Sequence, residues 1–422
     1  MKWLKEVRDP RKVENCTFPI EYVLMSVMMM HCGQCGSRRQ LGRDLAGSRL
    51  SSNIWRLIGK AHKKICSCHP DTLNRVMEAL DPTQVEDLIA QVFKQLRRCR
   101  ALDRFRFDGM LNLAIDATGI LSFKKRHCET CTHQTSKKSG VTTYFHNVLA
   151  AKIVTPIGLV IPVAFEFIEN PEGEYKKQDC EIKSWRRLQK KIVKLFPRLK
   201  VNLLADGLYA EETTFRQCDK PGWNYIISLS EDKLPSVTKQ IPSDKSQWTG
   251  SRVFRKEVDG KILTRTVRWM TPLRYHGEIV HVVEMEEHAA DGEQLYYNRW
   301  ITNRKPNSDI AHDLAQNGRL RWKIENEGTN TQKNSGYEME HAYGLKGNAW
   351  KNYYLLLQIS QLMNDLVRFS DYIQKATGDP GATFARVFGT IRHYCRCLLE
   401  SLRLLSPRFE PPPQRFQVRF VT

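Results

Sequence analysis

LNLAIDATGIL, residues 111–121, is an apolar run of strand length that carries one acid, Asp116. Aspartate is disfavoured in a buried strand, and an ionised carboxylate there is costly unless it is paired or bound to a metal. The run also marks a change of texture in the chain. YFHNVLAAKIVTP (144–156) and GLVIPVAFEFI (158–168) follow, β-like by length and composition and joined by the turn signal Pro156 to Gly158. An amphipathic helix is expected over roughly 178–195, then a buried strand in VNLLADGLY (201–209). A helix near 211–217 and a strand in WNYIISLS (223–230) complete the series.

The resulting order, β-β-β-α-β-α-β, is that of an RNase H-like core, although many α/β domains contain it. Upstream, residues 1–105 read as helical. Apolar residues recur at helical spacing in 20–30 and 85–96, and DPTQVEDL (81–88) has the form of a helix start with Asp or Thr as cap. Arg38, Arg39, Arg43, Arg49, Arg56, Lys60, Lys63 and Lys64 are interleaved there. A DNA-binding or dimerising domain and a helical lid with a solvated charged face explain this equally well. Downstream, RVFRKEV (252–258), KILTRTVRWM (261–270), EIVHVVEM (278–285) and LYYNRWITN (295–303) are short alternating segments. Turn signals such as Asp259-Gly260 and Asp291-Gly292 separate them.

The expected fold is therefore α/β. A helical N-terminal domain (1–105) precedes an RNase H-like mixed-sheet core that begins at 106–230. A β-rich insertion fills 231–303, and a helix carrying GRLRWKIENEGTNTQK completes the core over 304–370. C-terminal helices and a Pro-rich tail occupy 371–422. There is no internal repeat.

Lys and Arg number 66 against 46 Asp and Glu, a net charge of +20. A chain this basic usually meets a polyanion, most often nucleic acid; the plain alternative is a solvated basic surface without a partner. The N-terminal stretch MKWLKEVRDPRKVENC lacks the apolar segment of a signal peptide, and residues 22–30 are about half the length that spans a bilayer. The expected location is cytoplasmic, with no membrane contact. Its 12 cysteines are then reduced thiols or metal ligands rather than a disulfide framework. No phosphate-binding P-loop, dinucleotide fingerprint or nucleophile elbow is present.

Two more acids share the context of Asp116. Asp206 ends the apolar run LLADGLY, and Glu325 lies in RWKIENE. Phosphodiester hydrolysis or transesterification needs an activated attacking oxygen and a stabilised leaving oxygen. Two Mg²⁺ ions held about 3.5–4 Å apart by carboxylates supply both, and Mn²⁺ can substitute. Taken singly, each Asp reads as readily as a strand-end cap or a salt-bridge partner; the set of three favours metal. Arg321 is four residues before Glu325, on one helix face, as an ordinary ion pair or as a phosphate ligand. Lys323 and Lys333 are further candidates for phosphate contact. Trp322 reads as packing rather than base stacking.

Cysteine spacing raises a separate question. HCETCTH (127–133) offers Cys128 and Cys131 as zinc ligands, with His127 or His133 to complete the set in a very short loop. Cys32 and Cys35 with Cys66 and Cys68 are a second possible set of unusual spacing. Incidental thiols are the plainer reading of both.

AIDATG, YFHNVLAAKIVTP, KKQDCE (176–181), LLADGLY and above all GRLRWKIENEGTNTQKNSGYEMEH (318–341) resemble bacterial insertion-sequence transposases with an RNase H-like DDE domain, of the broad group that has a β-rich insertion before the catalytic Glu. The resemblance covers about residues 105–365. It implies that Asp116, Asp206 and Glu325 are the catalytic, metal-binding triad. It implies that Arg321 matches the Arg of the group's Tyr-Arg-Glu-Lys signature, and that Tyr209 and KKQDCE lie near the site. Two positions depart from the signature: Gly318 stands where Tyr is expected, and Gln332 where Lys is expected, with Lys333 one step later. The implied function is a DNA transposase that cuts element ends and joins them to target DNA, acting as a DNA-bound homo-oligomer. Two rival readings are a metal-dependent nuclease or resolvase that only cleaves, and a non-catalytic DNA-binding protein of transposase descent.

Overall fold

The computed structural model describes residues 2–46, 48–60, 67–258, 261–406 and 418–421. Lys63, Lys64, Cys66, the Asp259-Gly260 turn and the Pro-rich tail lie outside the described residues. Helices α1 (Ile20–Cys32), α2 (Arg38–Leu45), α3 (Leu50–Leu57), α4 (Pro70–Ala79) and α5 (Pro82–Arg98) come first. Four strands follow: β1 (Leu111–Phe123), β2 (Thr132–Thr135), β3 (Thr142–Val154) and β4 (Val160–Ile168). Then come α6 (Glu181–Leu195), β5 (Val201–Ala205), α7 (Glu212–Asp219), β6 (Asn224–Ser228) and α8 (Pro235–Thr238). Strands β7 (Gly250–Val258), β8 (Lys261–Tyr275), β9 (Glu278–His288) and β10 (Gln294–Thr302) precede α9 (Ala311–Arg319) and α10 (Thr331–Asn334). The chain continues through α11 (Ala349–Phe369), α12 (Tyr372–Thr377), α13 (Phe384–Phe388) and α14 (Ile391–Leu404).

Among the described residues the ten strands belong to one mixed sheet, ordered β2-β3-β1-β5-β6-β10-β9-β8-β7, with β4 pairing β3. β1 runs antiparallel to β3 and β3 to β4, while β1, β5 and β6 are parallel. The alternating segments of 252–303 form an antiparallel meander, β7 to β10, that extends the same sheet across β6. A period-two pattern says that a strand exists but not which strand it joins, so this continuation is visible only in the structure.

The two faces of the sheet carry different layers. Leu113, Ile115, Leu149 and Ile153 pack in one core with Trp185, Leu188 and Ile192 of α6. On the other face Ala114, Val154, Leu204 and Ile226 pack with Leu314 and Ala315 of α9 and with Ile324. A third core joins the N-terminal helices to α11. α1 is apolar on most of its circumference, with Glu21, Ser26 and His31 as its polar residues, and every one of its residues is buried. α5 begins at Asp81, whose carboxylate accepts the Thr83 N–H at 3.0 Å, with Pro82 in the first turn. Among the described residues no helix is long and apolar enough to cross a membrane.

An asparagine ladder fixes α9 to the sheet. Asn112, Asn202 and Asn224 are in register across β1, β5 and β6. Asn224 donates to Asn202 at 3.1 Å, Asn202 to Asn112 at 3.3 Å, and Asn112 to Asn317 of α9 at 2.5 Å. Gly318 then lies so close to the sheet that a Cβ there would meet the Trp300 indole at 2.6 Å and Ile226 at 2.9 Å. Only glycine permits that approach. Gln332 is a core residue as well: buried, it bonds Gln358 and Gln361 of α11 at 2.8 and 2.5 Å. A lysine there would bury an unpaired charge.

Candidate active site

Asp116 and Asp206 are placed by strand pairing. The parallel register of β1 and β5 reaches Ala114 opposite Leu204, and each aspartate is two residues further on. Both therefore face the α9 side at one level of two strands spaced about 4.8 Å apart. Asp206 also caps the turn Gly207–Tyr209, accepting the Leu208 N–H at 2.9 Å. The strand-end cap is thus real and leaves carboxylate capacity for other partners.

Glu325 arrives from the same face. α9 tightens into a 3₁₀ turn at Leu320–Trp322 and then widens into a π-helix over Ile324–Asn330. Such wide turns occur frequently at functional sites. Ile324 is fully buried in the Ala114/Leu204 core and anchors the turn, leaving Glu325 half-exposed beside it. Arg321 donates to Glu325 at 2.6 Å and its guanidinium is 4.0 Å from Asp116. Lys323 pairs with Glu327 at 3.8 Å and Lys333 with Glu340 at 2.8 Å, so neither is joined to the three acids. Trp322 is 49% exposed, contrary to the packing role expected of it.

Two further residues lie beside the acids: one from KKQDCE, the segment that the resemblance set near the site without a role, and one, Lys152, that the sequence reading did not single out. Glu181, the last residue of KKQDCE, opens α6 beside Asp206, and the buried Tyr209 hydroxyl donates to it at 3.3 Å. Its position at a helix start reads as an ordinary dipole partner, so the sequence alone assigned it no role. Lys152 of β3 shares the face of Asp116, and only 2% of it is exposed. Its ammonium lies under the π-helix, 3.6 Å from where a Cβ of Gly328 would be. A charge in the apolar run AAKIV carried the same signal as Asp116.

The electrostatics follow from the crowding. Burial, then Glu325, raise the Asp116 carboxyl to about 7 against the pull of Arg321; Glu181 and Asp206 add to the rise. Burial and Asp206 also raise Glu181, with the Tyr209 hydroxyl opposing. Burial lowers Lys152 to about 8, opposed by Asp116 and Asp365. Asp116, Glu181, Asp206 and Glu325 thus repel one another around one arginine. Such a set suits a hard divalent cation, because oxygen ligands and uncompensated negative charge are what Mg²⁺ selects.

Open grooves flank the cluster. One of about 340 Å³ runs past Ala117, Gly119, Gln134, Asn147 and Glu181. The other, about 310 Å³, lies beside Arg321 and Trp322. Lys137, Lys138, Lys176 and Lys177 are exposed on segments bordering the first.

Cys128 and Cys131 come together, but with His146 of β3 rather than with His127 or His133. His127 instead contacts the Leu345 carbonyl at 3.2 Å, and His133 lies against Tyr144. Cys32 is buried, its thiol bonded to the Ser360 carbonyl. The alternative set of Cys32, Cys35, Cys66 and Cys68 depends on a residue outside the described ones. The chain matches no protein-family model and no curated protein.

Proposed function

We propose that the chain is a DNA transposase of the metal-dependent DDE type, with Asp116, Asp206 and Glu325 as its catalytic acids. One observation carries the reading: two aspartates at equivalent positions of adjacent parallel strands, faced by a glutamate from the helix packed on that side. The order β4-β3-β1-β5-β6, antiparallel on one side of β1 and parallel on the other, supports an RNase H-like core. The +20 charge and the lysine-bordered groove support DNA as the partner. Paired element ends call for at least a dimer on DNA.

In this reading Asp116, Asp206 and Glu325 would hold two Mg²⁺ ions, with Glu181 beside Asp206 as a supporting acid. Mg²⁺, when bound, would make the attacking oxygen more acidic and would stabilise the leaving oxygen as a Lewis acid. The chain does the rest. Arg321, between Asp116 and Glu325, presents its fork to a non-bridging phosphate oxygen. Glu325, half-exposed and paired with Arg321, would also serve as the base for the attacking water or 3′-hydroxyl. Lys323 and Lys333 would add phosphate contacts on leaving Glu327 and Glu340, contacts that carry affinity without sequence information.

Labelled duplexes carrying the DNA that flanks the coding region, incubated with Mg²⁺ or Mn²⁺, test the reading. Metal-dependent release of a 3′-hydroxyl that disappears in Asp206→Asn, followed by joining to a second duplex, is the expected result. Cleavage without joining would make the protein a nuclease or resolvase. No cleavage by folded, DNA-binding wild type would make it a non-catalytic DNA-binding protein.

A further inference from the structure

We propose that Cys128, Cys131 and His146 bind one Zn²⁺ ion at a structural site separate from the acidic cluster. The three residues come from different places in the chain. Cys128 follows β1, Cys131 immediately precedes β2, and His146 lies on β3, where Thr132 pairs with the neighbouring Phe145. The two sulfurs are 3.3 Å apart, and the His146 Nε2 is 3.6 Å from Cys128 Sγ and 3.7 Å from Cys131 Sγ. A tetrahedral ion with ordinary Zn–S and Zn–N bonds separates two sulfurs by about 3.8 Å and sulfur from nitrogen by about 3.5 Å. The triangle therefore needs to open by only about half an ångström at the sulfurs. The sulfur separation is far beyond the roughly 2.05 Å of a disulfide. Among the described residues this is the one group of three or more such side chains whose ligand atoms all lie within 4.8 Å of one another.

The surroundings hold the ligands in place. Cys131 and His146 are each 1% exposed. The Trp350 ring stacks on His146 at 4.3 Å and the Phe123 ring meets its edge at 5.7 Å. Asn170 donates its side-chain amide to the Cys131 carbonyl at 2.7 Å and its backbone N–H to Thr130, fixing the loop between the cysteines. The Thr130 hydroxyl lies 3.3 Å from Cys128 Sγ and donates to Glu169, which pairs with Lys351.

Two thiolates and an imidazole are soft and borderline ligands. They select Zn²⁺ over the Mg²⁺ that carboxylates take. On binding, each cysteine gives up its thiol proton to solvent, so Zn²⁺ and two thiolates form a neutral centre. Three protein ligands leave one corner, which a water fills from the half-exposed Cys128 side. The ion would fasten the loop between β1 and β2 to the sheet and, through Trp350, to the start of α11. His146 is four residues along β3 from Ala150, the partner of Asp116, which puts the site roughly 13 Å from the acidic cluster.

The test uses the full chain, reduced, stripped with a chelator and reloaded with Zn²⁺ alone. One zinc per chain after gel filtration is expected, lost in Cys128→Ser and His146→Ala but kept in Cys218→Ser, whose buried thiol lies elsewhere. Co²⁺ in place of Zn²⁺ should give a thiolate-to-cobalt charge-transfer band that Cys128→Ser removes. Should a variant fail to fold, the wild type alone decides: Zn²⁺ should protect two thiols from a thiol reagent. Wild type that retains no zinc, Cys128→Ser that keeps a full equivalent, or two thiols left unprotected would overturn the proposal.

Discussion

Asp116 and Asp206 stand at equivalent positions of two adjacent parallel strands, each two residues beyond the Ala114–Leu204 pair. Burial first, and then Glu325, lift the Asp116 carboxyl from 3.8 to about 7 against the pull of Arg321, with Glu181 and Asp206 adding less. Its raised value means that the folded chain holds a proton which the unfolded chain has released across that interval. Without metal, this contribution to stability is full below 3.8 and is lost as pH rises through about 7. Asp365, also lifted to about 7 by burial, adds to the same slope. The melting temperature of metal-free protein should fall across this window. Asp116→Asn should flatten the fall and be the more stable protein above it. Added Mg²⁺ should restore wild type and leave the variant unchanged; thermal melts with and without metal give the answer.

Glu181 should matter less than the triad and still be felt. It sits beside Asp206, held by the Tyr209 hydroxyl. Groups that support metal ligands typically contribute about 10–100-fold to metal affinity or activity. Glu181→Gln is expected to raise the Mg²⁺ concentration for half-maximal cleavage about tenfold, with a smaller effect at saturating metal. Tyr209→Phe should move the same parameter in the same direction. A metal titration as flat as wild type's would remove Glu181 from the site.

The β7–β10 meander is held by a charge cluster whose centre is Glu284, fully buried. Lys245 at 3.0 Å, Arg299 at 2.8 Å and the Tyr297 hydroxyl at 2.8 Å surround it. Burial pushes this carboxyl up, but the hydrogen bonds of Arg299, Lys245 and Tyr297 outweigh it and hold it below 4.5. Its contribution is therefore present above 4.5 and lost as pH falls through the lowered value, the opposite direction to Asp116. Glu284→Ala takes the carboxylate from the part-buried Arg299, while Lys245 and Arg268 keep Glu286, and should cost about 1.5–3 kcal/mol. Denaturant unfolding followed by tryptophan fluorescence measures it, since Trp269 and Trp300 report on this part of the sheet.

How much of this was legible in the sequence depended on whether a residue contradicted its surroundings. Asp116 and Asp206 stood out because acids in apolar strands are costly, and the Asp81 cap because its pattern is local. Glu181 was legible only as part of KKQDCE, which the resemblance set near the site; its own position agrees with a helix start and assigns it no role. His146 lies 15 residues from Cys131, beyond the reach of a spacing rule, and its imidazole is unremarkable in a strand. Trp322 was expected to pack, as large aromatics do, yet the tightening of the helix just before the π-turn leaves it outward. That β7–β10 extend the central sheet depends on edge pairing with β6, which no local pattern encodes.

Gly318 gives the sharpest test of how the helix places Glu325. A Cβ at this position would lie 2.6 Å from the Trp300 indole nitrogen and 2.9 Å from Ile226, both in the core between α9 and the sheet. Neither neighbour can retreat easily, since Trp300 is 1% exposed and Ile226 is in a central strand. Gly318→Ala should cost about 1–3 kcal/mol as overpacking, despite alanine's better helix propensity. The helix must also lift from the sheet, and Glu325 lies two turns further along it, so cleavage should fall more steeply than stability. Trp300→Leu alone should be destabilising through the cavity it leaves. Combined with Gly318→Ala it should recover part of the loss, giving a favourable coupling in a double-mutant cycle. Additive effects of the two changes would show that the close approach of α9 to Trp300 does not set the position of Glu325.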